Sequence, residues 1–339
     1  MAASDSSRRG AETSGPPVVA AASPGPAGRI TLSGVYPALV TPFRNGAVDR
    51  NACRKLVDHV VEGGVNGVLV LGSSGEGAAL TQRMRRHVAD AVALALDGRL
   101  PHVVGVITSS LAVAITDARH AATTGAIAVL AAPPHYGPVD GEALLSFYRA
   151  LAAASELPVL AYNIPAFTRV PIPPAIVETL AREGAIAGIK DSSRDFDYFQ
   201  DVLTRLDDHA GFCALTGTDS LLVPAQVAGA HGGITIGANL VPGWCVQAWS
   251  AAAAGRMEEA KSIQRRLVRL SAAIRRGPFP AGMKGALELL GLCRRELASP
   301  RPALGDDQLG GLAAQLESLA ILPPAVLTAA RGASNGGGQ

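Results

Sequence analysis

Lys190 is the residue whose type and setting speak most directly of chemistry. The chain carries four lysines (Lys55, Lys190, Lys261 and Lys284) among 30 basic residues, so its cationic surface is made mainly with arginine. Yet the apolar run Ala185-Ile186-Ala187-Gly188-Ile189 leads straight into a lysine. An arginine keeps its proton, whereas a lysine partly stripped of water can lose it and attack a carbonyl carbon. Two readings fit: such a nucleophile, or a lysine that snorkels from a strand end or pairs with Asp191. Tyr162 closes the preceding apolar run. Its phenol could relay protons to and from carbinolamine and enamine intermediates, or it could be a structural tyrosine that caps a loop. Gly72-Ser73-Ser74-Gly75 offers backbone amides and two hydroxyls where a helix is expected to begin. Such a turn can seat a carboxylate, although small-residue turns at strand ends are common.

Other chemistries find little support. The seven histidines show no HExxH, no paired-histidine spacing and no Cys–His zinc pattern, which argues against a metal-dependent aldolase. The serine-hydrolase GxSxG and the phosphate-binding GxxxxGK[ST] are absent as well. His135 and His231 are placed near the presumed site and read as packing or supporting residues rather than ligands. The four cysteines stand far apart without CxxC spacing, as free thiols do in a reducing compartment. A formal charge of +2 with scattered arginines points to no nucleic-acid surface. No stretch reaches the ~20 continuous apolar residues of a membrane helix. A cytoplasmic enzyme is expected.

The elements that must position these residues form a repeating unit of roughly 25 residues: an apolar run, a turn, then an amphipathic stretch. The apolar runs are Val35 to Val40, Val68 to Leu71, Val103 to Ile107, Ile127 to Ala131, Val159 to Tyr162, Ala185 to Ile189, Phe212 to Leu215 and Gly233 to Ile236. They are short and lack strict alternation, as strands buried on both faces do. Between them the spacing is helical: in Asp49 to Glu62, Leu56, Val57, Val60 and Val61 share one face, and Gly63-Gly64 ends the helix. Eight strand–helix units predict an α/β fold, a (β/α)8 TIM barrel. A doubly wound open sheet would need a GxGxxG after its first strand, where Thr41-Pro42-Phe43 stands instead. Met257 to Arg276, Ala281 to Gly291 and Asp306 to Ala320 read as additional C-terminal helices packed on the barrel's side. The expected division is a barrel over residues 29–255 and a helical extension over 256–325. Residues 1–28 and 326–339 are expected to be flexible tails. Arg8-Arg9 raises a twin-arginine export signal, but the prolines that follow leave no apolar core for one.

In such a barrel the site lies where the strands' C-terminal ends converge. There the chain carries Gly72-Ser73-Ser74-Gly75-Glu76, Pro133-Pro134-His135-Tyr136, Tyr162-Asn163-Ile164-Pro165, Gly188-Ile189-Lys190-Asp191, Thr216-Gly217-Thr218-Asp219 and a glycine-rich eighth segment. Together with Gly34 to Phe43 as an opening strand, these segments resemble the dihydrodipicolinate synthase/N-acetylneuraminate lyase family of pyruvate-dependent class I aldolases. The resemblance runs from about Gly34 to Leu290 and rests on short motifs in the right order, GxxGE, YNxP and GxKD. It implies a lyase that forms a Schiff base between Lys190 and a small-molecule 2-oxo acid, pyruvate being the common partner, with Tyr162 shuttling protons. It places the 2-oxo acid carboxylate on Ser73 and Ser74, and Gly217 and Ile234 on the pocket lining. Tyr136 matches the second aromatic of a paired-tyrosine loop, where the family's tyrosine often reaches into a neighbouring subunit's site; the first aromatic is His135 here. The resemblance further implies a homotetramer, as a dimer of dimers, and no metal or organic cofactor.

One position departs from the pattern. In the synthase branch an arginine two residues after the proline of YNxP grips the second substrate's carboxylate; here it is Phe167. A phenyl ring cannot stand in for a bidentate guanidinium, and Arg169, two positions further on, is expected to point elsewhere. The favoured substrate is therefore a 2-keto-3-deoxy sugar acid or related hydroxy-oxo acid. The alternatives are 4-hydroxy-tetrahydrodipicolinate synthase activity and a sugar-acid dehydratase. From another class, a barrel could bind a 2-oxo acid and regulate without turnover, but a sensor has no need of the Lys190 nucleophile.

Overall fold

The computed structural model describes residues 30–322; the segments expected to be tails, 1–28 and 326–339, lie outside them. Eight parallel strands follow one another around a ring: β1 (Gly34–Pro37), β2 (Val68–Val70), β3 (His102–Val106), β4 (Ala128–Ala131), β5 (Val159–Asn163), β6 (Gly188–Asp191), β7 (Cys213–Thr216) and β8 (Gly232–Thr235). From β2 to β8 each strand pairs with its sequence neighbour, and β1 pairs with β8. A bridge from Ala38 to Leu69 and the bond from Leu39 N–H to Leu69 O close the ring between β1 and β2. The result is a (β/α)8 TIM barrel.

Helices follow the strands: α1 (Arg50–Glu62), α2 (Gln82–Leu96), α3 (Leu111–Thr123), α4 (Gly141–Ala154), the short α5 (Pro165–Thr168) with α6 (Pro174–Arg182), α7 (Phe196–Arg205), α8 (Leu222–Val227) and α9 (Pro242–Ala253). Five of them start on a side-chain cap: Asp49, Thr81, Ser110, Asp140 and Asp195 each accept an N–H from the first turn. Such caps fix where each helix departs from the loop above its strand. In α1 the buried residues are Ala52, Cys53, Leu56, Val57 and Val60, while Val61 is half-buried at the face's edge.

Side chains alternate along each strand between two cores. Val159, Ala161 and Ile189 face the helices, in one continuous core with them. Tyr36, Leu69, Val103, Leu130, Leu160, Tyr162, Leu215 and Ile234 fill the lumen, with Ile30 and Leu32 in the same cluster.

The sixth strand differs in position from its apolar run. Ala185 and Ile186 both donate their N–H groups to Leu180 O, closing α6, so the strand begins only at Gly188. Lys190 therefore lies inside β6 rather than beyond its end. Glycine at 188 and lysine at 190 share the lumen-facing parity, and Ile189 and Asp191 take the other.

Helices α10 (Met257–Ala273), α11 (Ala281–Leu289) and α12 (Asp306–Ser318) close the chain. They were expected at the barrel's side, and their apolar faces do join the outer core. The last turn of α10 and the link to α11 go further, since Ser271, Ile274, Arg275 and Phe279 line a cavity at the barrel mouth. Buried Gln264 ties α10 down by accepting from Val223 N–H and donating to Asp219 O, each at 2.9 Å. No helix among the described residues is long and apolar enough to cross a membrane.

Candidate active site

Parallel pairing puts Tyr162 of β5 level with Lys190 of β6, and Asn163 level with Asp191. Equal parity then turns Tyr162 and Lys190 into the lumen together. Lys190 is 3% exposed and its Nζ donates to Tyr162 Oη at 3.4 Å, lying 4.4 Å from the ring centroid. Tyr162 Oη in turn shares a hydrogen bond of 3.2 Å with Ser73 Oγ. Three groups from three strand ends thus form one chain, amine to phenol to hydroxyl. One sequence alternative falls away here: Lys190 pairs with no carboxylate within ion-pair distance among the described residues, whereas the Tyr162 hydroxyl does meet a loop residue, Ser73.

Asp191 faces the other way. It accepts from Asn163 Nδ2 at 2.7 Å, from Ser193 N–H at 3.2 Å and from Ser193 Oγ at 2.9 Å. Burial pushes its carboxyl up to about 6, against the downward pull of those donors.

Ser73 and buried Ser74 sit on the loop after β2, held by Thr41 Oγ1 donating to Gly75 O at 2.6 Å. The loop passes so close to itself that a Cβ at Gly77 would strike the Leu71 carbonyl. A side chain at Gly217 would meet Ser192 Oγ, and lie 2.9 Å from Lys190 Cε. Glycine there keeps room beside the amine. Gly217 and Ile234 line the same cavity as Lys190, Tyr162, Ser73 and Ser74, with a volume of about 300 Å³. Asp219, at the end of β7, lies in its wall and accepts Gly237 N–H at 2.8 Å. Burial drives its carboxyl up, opposed by the Gly237 bond and the charge of Lys190.

One expected site residue is not gathered here, and Arg169, expected to point elsewhere, is not here either. Tyr136 is 92% exposed on the loop after β4, where Ser109 Oγ accepts its backbone N–H. Arg169 lines a separate surface cleft with His135 and Gly137. His231 requires a correction. It precedes β8 at the barrel's opposite end, bonded through Nδ1 to Ala214 N–H, and has no place near Lys190. Phe167 is 54% exposed and packs on Phe279, ring centroids 5.4 Å apart, forming an apolar wall where a guanidinium was absent.

Sequence reasoning missed a buried ion cluster behind the serine loop. Glu76, at φ 59°, takes Lys284 Nζ at 2.6 Å on one oxygen and Arg301 at 3.0 Å on the other, which also accepts Ala298 N–H at 2.8 Å. The scarcity of lysine and the apolar sequence around Lys284 were a usable signal; nothing marked Arg301. Also missed were Arg194 and Arg275, which line the Lys190 cavity but do not stand out among the scattered arginines. Among the described residues no group of three or more His, Cys, Asp or Glu could hold a metal ion.

An amine, a phenol and a hydroxyl thus line up at the mouth of an eight-stranded barrel. The chain belongs to the dihydrodipicolinate synthetase family, whose sequence profile matches residues 31–319. It is thereby a lyase of that family. It is 39% identical over 267 residues to a 4-hydroxy-tetrahydrodipicolinate synthase of Phenylobacterium zucineum, covering 79% of this chain and 90% of that one. Among solved structures, the dihydrodipicolinate synthase of Bacteroides thetaiotaomicron superposes with a TM-score of 0.81 at 33% identity, covering 85% and 98% of the two chains. YagE, a prophage protein of the same family from Escherichia coli K12 solved in complex with pyruvate, gives a TM-score of 0.82 at 27% identity, covering 85% and 99%.

Proposed function

We propose that the protein is a class I aldolase or lyase in which Lys190 forms a Schiff base with a 2-oxo acid, pyruvate being the common partner. The observation that carries this reading is the chain from Lys190 Nζ through Tyr162 Oη to Ser73 Oγ, at 3.4 and 3.2 Å, inside a cavity. The unprotonated amine attacks the keto carbon, and the carbonyl oxygen gains a proton through Tyr162 to give a carbinolamine. Loss of water yields the iminium. Loss of a C3 proton converts it to the enamine, whose C3 bonds to the carbonyl carbon of an aldehyde. The aldehyde oxygen takes up a proton by the same phenol, and water hydrolyses the iminium to free Lys190. Cleavage runs these steps backwards. Ser73 and Ser74 hold the 2-oxo acid carboxylate, while Gly217 and Ile234 shape the wall.

Phe167 favours a hydroxylated 2-oxo acid, such as a 2-keto-3-deoxy sugar acid, over the synthase substrate, because an apolar ring replaces the guanidinium. In a homotetramer the exposed Tyr136 reaches a neighbouring copy's site. The barrel over 29–255 and the extension over 256–325 act as one unit, since the extension supplies Phe279 to the cavity.

Borohydride reduction in the presence of pyruvate, followed by peptide mass spectrometry, tests the reading. A stable adduct on the Lys190 peptide is expected. No adduct with any of several 2-oxo acids would leave a binding protein without turnover as the better account.

A further inference from the structure

The Lys190 cavity carries more positive charge than a single carboxylate can balance. Its charged lining is Lys190, Arg194 and Arg275 against one acid, Asp219. Neither arginine has a carboxylate within ion-pair distance among the described residues. Arg275 donates only to Ser271 Oγ, at 3.3 Å, while its neighbour Arg276 turns away to Gln315. The two guanidiniums oppose each other: partial burial, then the charge of Arg275, holds Arg194 below the usual arginine range.

The backbone around Arg194 is fixed. Ser193 Oγ donates to Asp191, Asp195 N–H donates to Ser193 Oγ, and Asp195 caps α7. Between these anchors Arg194 itself sits at φ 68°, a left-handed conformation that a non-glycine residue adopts at a cost. The loop thus holds this side chain at the cavity edge instead of leaving it to a relaxed turn. β2, which leads to Ser73 and Ser74, and β6, which leads to Arg194, are four places apart in a ring of eight and so stand opposite each other. The mouth therefore has a carboxylate seat on one rim and a pair of guanidiniums on the other, with the reactive amine below.

We infer that Arg194 and Arg275 bind an anionic group at the far end of the aldehyde, or of the 2-oxo acid that yields it, so that the preferred substrate is charged at both ends. This rests on the Schiff-base reading of Lys190. It also accounts for Phe167: the guanidinium contact moves from the loop after β5 to the loop after β6 and the end of α10. The far anion is a carboxylate or a phosphate, each of which two forked guanidiniums can grip.

The test is the rate of pyruvate consumption with three aldehydes: glyceraldehyde, glyceraldehyde 3-phosphate and succinic semialdehyde. Wild-type kcat/KM is expected to be at least about tenfold higher for one of the two anionic aldehydes than for glyceraldehyde, and which one identifies the anion. Arg194→Gln and Arg275→Gln should each raise KM for that aldehyde by about tenfold or more, with a smaller rise in Arg194→Lys and little change for glyceraldehyde. Both side chains are exposed, so the variants should fold. Equal losses on all three aldehydes, or a wild-type preference for glyceraldehyde, would overturn the inference. Pyruvate trapping on wild-type Lys190 separates the two failures. With the adduct present and no charge preference, only the arginine assignment falls. With no adduct, the Schiff-base reading falls and takes this inference with it.

Discussion

Two of the four lysines are buried, and their surroundings could hardly differ more. Lys284 has no side-chain exposure, pairs with Glu76 at 2.6 Å and donates to Glu296 O at 2.6 Å. Lys190 has a phenol oxygen at 3.4 Å, no carboxylate in contact, and an open cavity before it. Each amine lies near an aromatic ring, Phe43 at 4.2 Å and Tyr162 at 4.4 Å, so the ring does not distinguish them. What does is the partner and the space. Burial pushes the Lys284 amine down, but Glu76 pulls it back towards the charged form and no room remains for a ligand. A buried amine becomes a reagent only where a carbonyl carbon can reach it and its proton has somewhere to go. The same residue type is therefore a buried ion-pair partner in α11 and, in the mechanism proposed above, the nucleophile in β6.

The largest effect expected from breaking this contrast is at Lys190. Lys190→Arg keeps the charge but not the removable proton, so turnover should drop to background and the borohydride adduct should vanish. Retained turnover would remove the basis of the mechanism. Tyr162→Phe comes next, with an expected loss of about 10²–10⁴ in kcat, since the proton relay between amine and hydroxyl is cut. Steady-state kinetics should place that loss in kcat rather than KM.

Lys284→Met tests the other half. Glu76 would keep Arg301 but lose its closest cation inside the protein. Breaking such a pair destabilises by about 3–5 kcal/mol, read as a lower denaturant midpoint. The folded fraction should still give the pyruvate adduct on Lys190; an adduct lost in proportion to nothing but the substitution would mean that both lysines serve the reaction.

The smallest expected effect belongs to Asp191, next to Lys190 but facing outward. Its carboxyl titrates near 6 in the folded protein and near 3.8 when unfolded, so the native state binds the extra proton between those values. Its contribution to stability is present below about pH 4 and is lost as pH rises through about 6, by up to about 3 kcal/mol. The stability difference between wild type and Asp191→Asn should therefore shift against wild type over that window, as followed by thermal denaturation at several pH values. A flat difference would show that Asp191 keeps its ordinary acidity.

Much was legible in the chain because the signals were local. The eight apolar runs, the caps such as Asp49, and the helices after Met257 each depend on residues near one another in sequence, and their places were read to within a few residues. Lys190, Tyr162 and the serine turn were legible for a related reason: each sits at the end of a run whose direction is fixed. The sixth strand was misplaced by three residues because apolar Ala185 and Ile186 close a helix as readily as they open a strand. His231 was put at the wrong end because a residue before a strand and one after it look alike in composition.

By itself the sequence determined the periodicity, and with it the barrel and the family to which the chain belongs; that Lys190 turns inward followed only from the observed strand start and register. Only the tertiary structure decided which distant groups meet. Glu76 reaches Arg301 across 225 positions, and Arg275 joins Arg194 at the cavity from separate elements. The reason is physical: hydrogen-bonded strands and amphipathic helices are written in short-range spacing, whereas ion pairs and cavity walls depend on how the closed ring and the returning helices bring remote backbone together.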